Sequence, residues 1–188
     1  ESAEQLVKHA DVAMYQAKSS GRNQFCFYQA SAGQQNADEL KLEQALREAL
    51  KLQQLQVHYQ PKFALASNHI VGFEALVRWQ HPQLGQVSPA RFIPLAEKLG
   101  LISALGEQVL QQVCQQQQQW QHLALPVSVN ISALQLADTD FVSRLQHIVQ
   151  QASIAPELLE LELTESCLIP EQAEQTLAQL TALKALGF

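Results

Sequence analysis

The sequence predicts an α/β fold in which strands line half of a barrel and helices cover it. Four segments alternate apolar and polar residues with the period of two that β-strands show. Helical segments separate three of them, so those strands are expected to lie parallel beneath helices. A polar face on such a sheet cannot point to bulk water and is expected to look into a lumen. The four segments are QVHYQPKF (56–63), VGFEALVRW (71–79), PVSVNIS (126–132) and LLELELTES (158–166).

The first element is predicted to be a short amphipathic helix. Small and apolar residues recur at helical spacing from Ala10 to Ala17, and Gly21 is placed to end the helix. Residues 25–27, FCF, then indicate a short strand.

A linker followed by a helix is predicted before the first of the four strands. Residues 29–37, QASAGQQNA, are small and polar, which is typical of a linker. Residues 38–52 follow as an amphipathic helix, because Leu42, Leu46 and Leu50 lie on one helical stripe.

Helices are predicted after the second, third and fourth strands. Ser88 and Pro89 supply a cap and a first helical residue, and Gly100 ends the helix that they begin. The next helix contains a glutamine run, residues 115–119, which we interpret as a solvated surface. Its predicted buried stripe is Ile102, Leu105, Val109, Leu110 and Val113. The remaining helices are predicted over residues 140–151 and 170–186.

The polar face of the predicted sheet carries oxygen ligands for a hard metal ion. Glu74, Asn130 and Glu162 lie on the polar side of their strands, and buried carboxylates need a partner or a metal. Such a set suits Mg²⁺ or Mn²⁺ far better than zinc. Glu160 lies on the same face and is an alternative ligand, although Glu162 is nearer the strand's C-terminal end, where barrel sites form. Lys62 is interpreted as a strand-end lysine.

The same strands carry a family resemblance. The strings YQPK, EALVRWQHP, SPARFIPLAEKLGLI, VNIS and ELTES follow one another between Tyr59 and Ser166. Together they resemble the EAL domain, the cyclic-di-GMP phosphodiesterase module, whose name is the tripeptide at residues 74–76. The resemblance implies a TIM-like (β/α)8 barrel with an antiparallel first strand. It also implies hydrolysis of cyclic di-GMP to linear pGpG with Mg²⁺ or Mn²⁺, in bacterial signal transduction.

The resemblance further implies roles for individual residues near the C-terminal ends of the strands. It assigns three residues to metal coordination and three to the substrate, with Arg78 suited to a bidentate phosphate contact. A catalytic role falls to Glu74 and to Glu165, which is expected to orient the loop after its strand. The metal set is Glu74, Asn130 and Glu162, and the substrate set is Gln60, Leu76 and Arg78.

Residues 1–28 resemble the C-terminal end of a GGDEF domain, the diguanylate cyclase module, in the string ADVAMYQAKSSGRNQFCFY. Lys18 and Arg22 match positions that contact nucleotide phosphates in that family, but an ordinary basic helix end is the favoured interpretation. We therefore expect a fragment of a GGDEF–EAL tandem protein, with the N-terminal half of the EAL domain at residues 53–188. The family's DDFG aspartate pair is expected beyond Phe188, so the isolated chain is predicted to be inactive.

Composition bears on partners and location. The net charge of −6 and a pI near 5.5 argue against DNA or RNA binding. Three scattered cysteines, no signal peptide and no run of about 20 apolar residues predict a cytoplasmic location, with an upstream membrane anchor in the parent left open. The resemblance implies upstream GGDEF and sensor domains and a homodimer through the EAL domain. A catalytically inactive cyclic-di-GMP receptor or interaction module is the alternative function.

Overall fold

A computed structural model describes residues 2–19, 25–28, 30–163 and 173–188. The helices in these ranges are α1 (Ala3–Ser19), α2 (Ala30–Lys51), α3 (Pro89–Lys98), α4 (Ile102–Gln119), α5 (Ala133–Leu136), α6 (Phe141–Ala152) and α7 (Ala173–Leu186). The strands are β1 (Leu55–Phe63), β2 (Ile70–His81), β3 (Gly85–Val87), β4 (Val127–Ile131) and β5 (Leu159–Leu163). None of the described helices combines the length and the apolarity that crossing a membrane requires.

The chain divides into two compact units, Glu1–Ala45 and Leu46–Phe188. In the first unit the predicted helix is confirmed as α1, but two other predictions are wrong. Residues 25–28 have no regular secondary structure, because no neighbouring strand in the described part of this unit can pair with their backbone. Residues 30–37, predicted to be a linker, are helical as the start of α2. They contain no proline and are rich in alanine and glutamine, which favour helix.

The sheet lies in the second unit and is mixed, as predicted. Its strand order is β1-β2-β4-β5; β1 runs antiparallel to β2, whereas β2, β4 and β5 are parallel. The parallel connections pass through α3 and α4 and then through α5 and α6. Strands that alternate in polarity and are joined by helices therefore do form a layered α/β structure here.

One strand was not predicted. β3 pairs antiparallel with the end of β2, with Trp79 opposite Val87. The turn between them is held by His81, whose Nδ1 accepts hydrogen bonds from the backbone N–H groups of Gln83 and Leu84, at 3.2 and 3.1 Å. Gly85 follows at φ +68°, a conformation that glycine adopts without strain. This hairpin extends β2 well beyond the part that pairs with β4.

The helices pack on the apolar face of the sheet. Trp79 and Phe92 are fully buried, and their rings meet edge to face with centroids 5.6 Å apart. The helix α3 begins at Pro89 after Ser88, as predicted, and Gly100 follows it with φ +67°. All five residues of the predicted stripe on α4 are buried. The apolar periodicity of α4 was therefore a sound guide to which side of the helix faces the sheet.

The glutamine run on α4 is only partly a solvated surface. Gln117 is 1 % exposed, and its Nε2 donates to the carbonyls of Leu125, at 2.9 Å, and Leu158, at 2.7 Å. Gln112 acts in the same way at 3.0 Å from the Leu55 carbonyl. Because these carbonyls lie at or just before the starts of β1, β4 and β5, glutamine side chains of α4 anchor the chain where three strands begin.

Candidate active site

The even-numbered residues of four neighbouring strands share one face of the sheet. Gln60 on β1 is opposite Glu74 on β2, and Glu74 is level with Ser128 on β4. Asn130 on β4 is in turn level with Glu162 on β5. Since side chains alternate along a strand, these register pairs place the predicted metal ligands and Gln60 on the same side.

Two of the predicted ligands are in direct contact. Asn130 Nδ2 donates a hydrogen bond to Glu74 Oε1 at 2.9 Å; Asn130 is exposed and Glu74 is half-buried. To bind a metal ion beside Glu74, the Asn130 amide would turn over so that its oxygen takes the place of its nitrogen. That half-turn exchanges two groups of almost the same size and requires no movement of the strand.

The third ligand, Glu162, has a lysine beside it. Lys62 Nζ lies 2.6 Å from Glu160 Oε2 and 3.8 Å from Glu162 Oε1. Lys62 also contacts the Ser128 hydroxyl, which donates to Glu160. Hydrogen bonds from Lys62, and then from Ser128, lower the pKa of Glu160 below its ordinary value. Of the two carboxylates that could bind the metal ion, Glu160 therefore accepts hydrogen bonds from Lys62 and Ser128, whereas Glu162 has the longer contact with Lys62.

The donor set fits a hard cation but is small. Two carboxylates and an amide oxygen are the ligand types that Mg²⁺ and Mn²⁺ take. Within the described ranges, no group of three or more histidine, cysteine, aspartate or glutamate residues is close enough to hold a metal ion. A bound ion would therefore depend on the Asn130 oxygen, water and the substrate for the rest of its coordination.

The predicted substrate residues lie on the same side of β1 and β2. Gln60 is exposed beside Glu74, and Leu76 is half-buried opposite His58. Arg78 is half-buried further along β2, and its Nη1 donates to the Val77 carbonyl at 2.9 Å. Its guanidinium is therefore held against its own strand and would have to swing outward to meet a phosphate.

One positional prediction is wrong, and one falls outside the described residues. Asn130 and Glu162 are each the last but one residue of their strands, but Glu74 lies in the middle of β2, which continues to His81. The hairpin with β3 lengthens β2 on its C-terminal side, so Glu74 lies seven residues before the end of the strand and not near it. Glu165 belongs to residues 164–172 and is outside the described ranges.

The turn after Asn130 is held from two sides. Ser132 and Gln135 form a reciprocal capping box at the start of α5, with Ser132 Oγ accepting from the Gln135 backbone N–H at 3.3 Å. The Gln135 side chain lies so close to Gly106 of α4 that a β-carbon there would be 1.9 Å from its Nε2. Glycine at this position lets the turn approach the helix, which fixes the end of β4 close to Asn130.

Two groups with strongly shifted pKa values lie on the opposite, apolar face. Burial raises the pKa of the Cys114 thiol to about 12. Burial, followed by the nearby Cys114, raises the pKa of the Tyr59 phenol to about 12. Tyr59 packs edge to face on Trp120 at 4.9 Å between centroids. Neither group changes its charge near neutral pH; Cys114 is buried in the core and Tyr59 is half-buried at its edge.

Lys62 and Ser128 are the site residues that sequence reasoning missed. Lys62 was interpreted as a plain strand-end lysine, yet it links β1 to two carboxylates on β5. A signal was present, because Lys62 occupies an even position on β1 and so shares a face with Glu160 and Glu162. Ser128 is fully buried beneath it. A polar residue between two buried valines of β4 also indicated a partner on that face.

Comparison with known proteins finds a matching family and similar proteins. The sequence model of the EAL domain family matches residues 43–188. The bifunctional diguanylate cyclase/cyclic di-GMP phosphodiesterase MucR of Pseudomonas aeruginosa is 41 % identical over 186 residues, which are 97 % of this chain and 27 % of that protein. The cyclic di-GMP phosphodiesterase PdeR of Escherichia coli is 41 % identical over 184 residues, 97 % of this chain and 28 % of that protein. The chain thus spans about a quarter of the length of these curated relatives.

Solved structures show the same fold. The PaMucR phosphodiesterase in complex with c-di-GMP superposes with a TM-score of 0.74 at 41 % identity, covering 78 % of this chain and 60 % of that one. The cAMP- and cyclic-di-GMP-bound form of the EAL enzyme Bd1971 has a TM-score of 0.73 at 25 % identity, covering all of this chain and 50 % of that one.

Proposed function

This chain belongs to the EAL domain family, and on that premise we propose that it is part of a metal-dependent phosphodiesterase that hydrolyses cyclic di-GMP to linear pGpG. MucR, PdeR and a further relative that is 40 % identical, NbdA of Pseudomonas aeruginosa, carry that phosphodiesterase activity in their names. The observation that supports the proposal best is the contact between Asn130 and Glu74 beside Glu162 on one open sheet face.

The charge of this face explains why a cation is needed. Glu74, Glu160 and Glu162 face the same side as Lys62 and Arg78, so three negative charges stand against two positive ones. A cyclic dinucleotide carries two phosphate charges and would be repelled by the net negative charge of this face. A bound Mg²⁺ or Mn²⁺ would reverse this sign, neutralise the phosphoryl oxygens and lower the pKa of a water molecule.

The protein's own residues then position the reaction. Glu74, with Asn130 and Glu162, would hold the ion. The Arg78 guanidinium would take a phosphate by two parallel hydrogen bonds, with Gln60 and Leu76 beside it. Water adds to phosphorus, the bond from phosphorus to one ribose oxygen breaks, and that oxygen takes the proton. Glu165 would orient the loop that follows β5.

We also propose that the chain comes from a GGDEF–EAL tandem protein of bacterial second-messenger signalling. The family match begins at residue 43, whereas the alignment with MucR covers 97 % of the chain, so the similarity extends into the preceding segment. MucR is named for both activities. Residues 1–28 would be the end of the GGDEF module and residues 38–52 the connecting helix. A cytoplasmic location and a homodimer through the EAL domain belong to the same proposal.

The proposal is tested with the full-length protein. Cyclic di-GMP turnover is followed by chromatography with Mg²⁺ or Mn²⁺ and after EDTA, and binding of the dinucleotide is measured by calorimetry. We expect accumulation of linear pGpG that EDTA abolishes. Tight binding without turnover in either metal would instead identify the alternative, an inactive receptor module, and absence of both binding and turnover would refute both functions.

A further inference from the structure

The Lys62 side chain crosses the sheet from β1 to β5. It passes over β2 at Gly72, where a β-carbon would lie 3.3 Å from Lys62 Cε. Gly72 is opposite Lys62 in the β1–β2 register, and a β-carbon there would also lie 2.9 Å from the Pro126 carbonyl oxygen. Glycine therefore lets both that carbonyl and the lysine stem approach β2. At the far side the ammonium meets the Ser128 hydroxyl and the Glu160 carboxylate, with 2.6 Å to Glu160 Oε2.

The two carboxylates of β5 are not equivalent toward this lysine. Glu160 accepts hydrogen bonds from both Lys62 and Ser128, whereas Glu162 Oε1 lies 3.8 Å from Lys62, beyond hydrogen-bond distance. Glu160 and Glu162 lie on one side of the strand, about 7 Å apart along it, and are level with Ser128 and Asn130 respectively. Glu160 is therefore the other β5 carboxylate on the face that would hold the ion. A carboxylate already bonded to an ammonium and a hydroxyl is a poor competitor for a cation.

We propose that Lys62 is a positioning residue that withdraws Glu160 from metal binding and leaves Glu162 as the β5 ligand. This inference rests on the proposed function, because it takes the metal site of that function as its starting point. Lys62 and Ser128 bind Glu160, and Gly72 lets Lys62 reach it, although none of the three residues is itself a proposed metal ligand. Removal of the ammonium should let Glu160 replace Glu162 at the ion.

The test is a double-mutant cycle read by Mn²⁺ binding. Calorimetric titration with Mn²⁺ alone is carried out on the full-length protein and on Lys62→Met, Glu162→Gln and the double variant. Glu160→Gln is measured beside them, and Lys184→Met, which removes an exposed lysine of α7, is the control for lost positive charge. Circular dichroism confirms the fold, and Lys62→Gln replaces Lys62→Met if the latter does not fold.

In the native background, Glu162→Gln should weaken Mn²⁺ binding at least about ten-fold, and Glu160→Gln should change it less than about three-fold. Lys62→Met alone should tighten Mn²⁺ binding by up to about ten-fold. In water, the repulsion between the lysine charge and a dication about 6 Å away corresponds to a factor of about that size. In the Lys62→Met background the loss caused by Glu162→Gln should shrink to about three-fold or less, because Glu160 is then free.

An equal loss from Glu162→Gln in both backgrounds would overturn the proposal, as would a larger loss from Glu160→Gln than from Glu162→Gln. Absence of Mn²⁺ binding by the native protein would overturn it together with the metal site. Cyclic di-GMP turnover is recorded separately on the same samples. A protein that binds Mn²⁺ and shows the coupling without turnover would contradict the proposed activity and leave the role of Lys62 standing.

Discussion

Replacement of Gln117 by alanine should destabilise the unit Leu46–Phe188 by about 2–4 kcal/mol. The side chain is 1 % exposed and donates to the carbonyls of Leu125 and Leu158 at 2.9 and 2.7 Å. Each hydrogen bond contributes about 0.5–1.5 kcal/mol net, and a buried carbonyl left unpaired costs about 1–3 kcal/mol. Loss of the buried side-chain carbons adds to this, whereas water entering the space would reduce it.

The assay for Gln117→Ala is urea unfolding at neutral pH, followed by circular dichroism, with the slope of the transition checked for constancy. Gln118→Ala is the matched control, since the neighbouring glutamine is exposed and should cost less than about 0.5 kcal/mol. If the two variants unfold at the same urea concentration, the side chain of Gln117 does not tie β4 and β5 to α4, and the reasoning is refuted.

Three further predictions concern the substrate, pH and the extent of the site. Arg78→Ala in the full-length protein should mainly raise KM if the guanidinium binds the phosphate of the bound substrate, and should lower kcat if it stabilises charge that develops in the transition state. An unchanged kcat/KM would show that Arg78 does not contact the substrate. The Arg144 guanidinium, 2.5 Å from Asp138, lowers the pKa of that carboxyl. Its stabilisation is therefore present above the unfolded-state pKa of about 4 and is lost as pH falls toward the lowered value. The difference in unfolding free energy between the native protein and Asp138→Asn should accordingly shrink between pH 6 and pH 3, and a constant difference would contradict this. The purified 188-residue chain should not turn over cyclic di-GMP, because two carboxylates and one amide are a small donor set for catalysis by metal ions. EDTA-sensitive turnover by this chain would contradict that expectation.

Much of the sheet could be predicted because its signal is local. Alternation along β2, β4 and β5 follows from the pleat, and the parallel order follows from the helices between the strands. β3 escaped prediction because it is three residues long and depends on its pairing with Trp79–His81. The helical course of residues 30–37 was missed because the small and polar composition was interpreted as a linker, although the segment has no proline and only one glycine.

The site was predictable in its residue types but not in its contacts. Glu74, Asn130 and Glu162 could be assigned to one face from their positions, and register confirms that face. Lys62 bonds to Glu160 rather than to Glu162 because its side chain passes over Gly72 and reaches β5 from β1, three places away in the sheet. Contacts of that kind arise from tertiary packing and have no counterpart in the local pattern.

Cleavage of cyclic di-GMP is proposed to depend on a metal ion that Glu74 would help to hold. Its most direct test compares initial rates of pGpG formation by the full-length protein and by Glu74→Ala over a range of Mn²⁺ concentrations. Glu174→Ala, which removes an exposed glutamate of α7, is the control. We predict at least about a 100-fold loss of rate for Glu74→Ala, with unchanged circular dichroism, and no loss for the control. A Glu74→Ala variant that keeps the native rate and metal dependence would contradict the account.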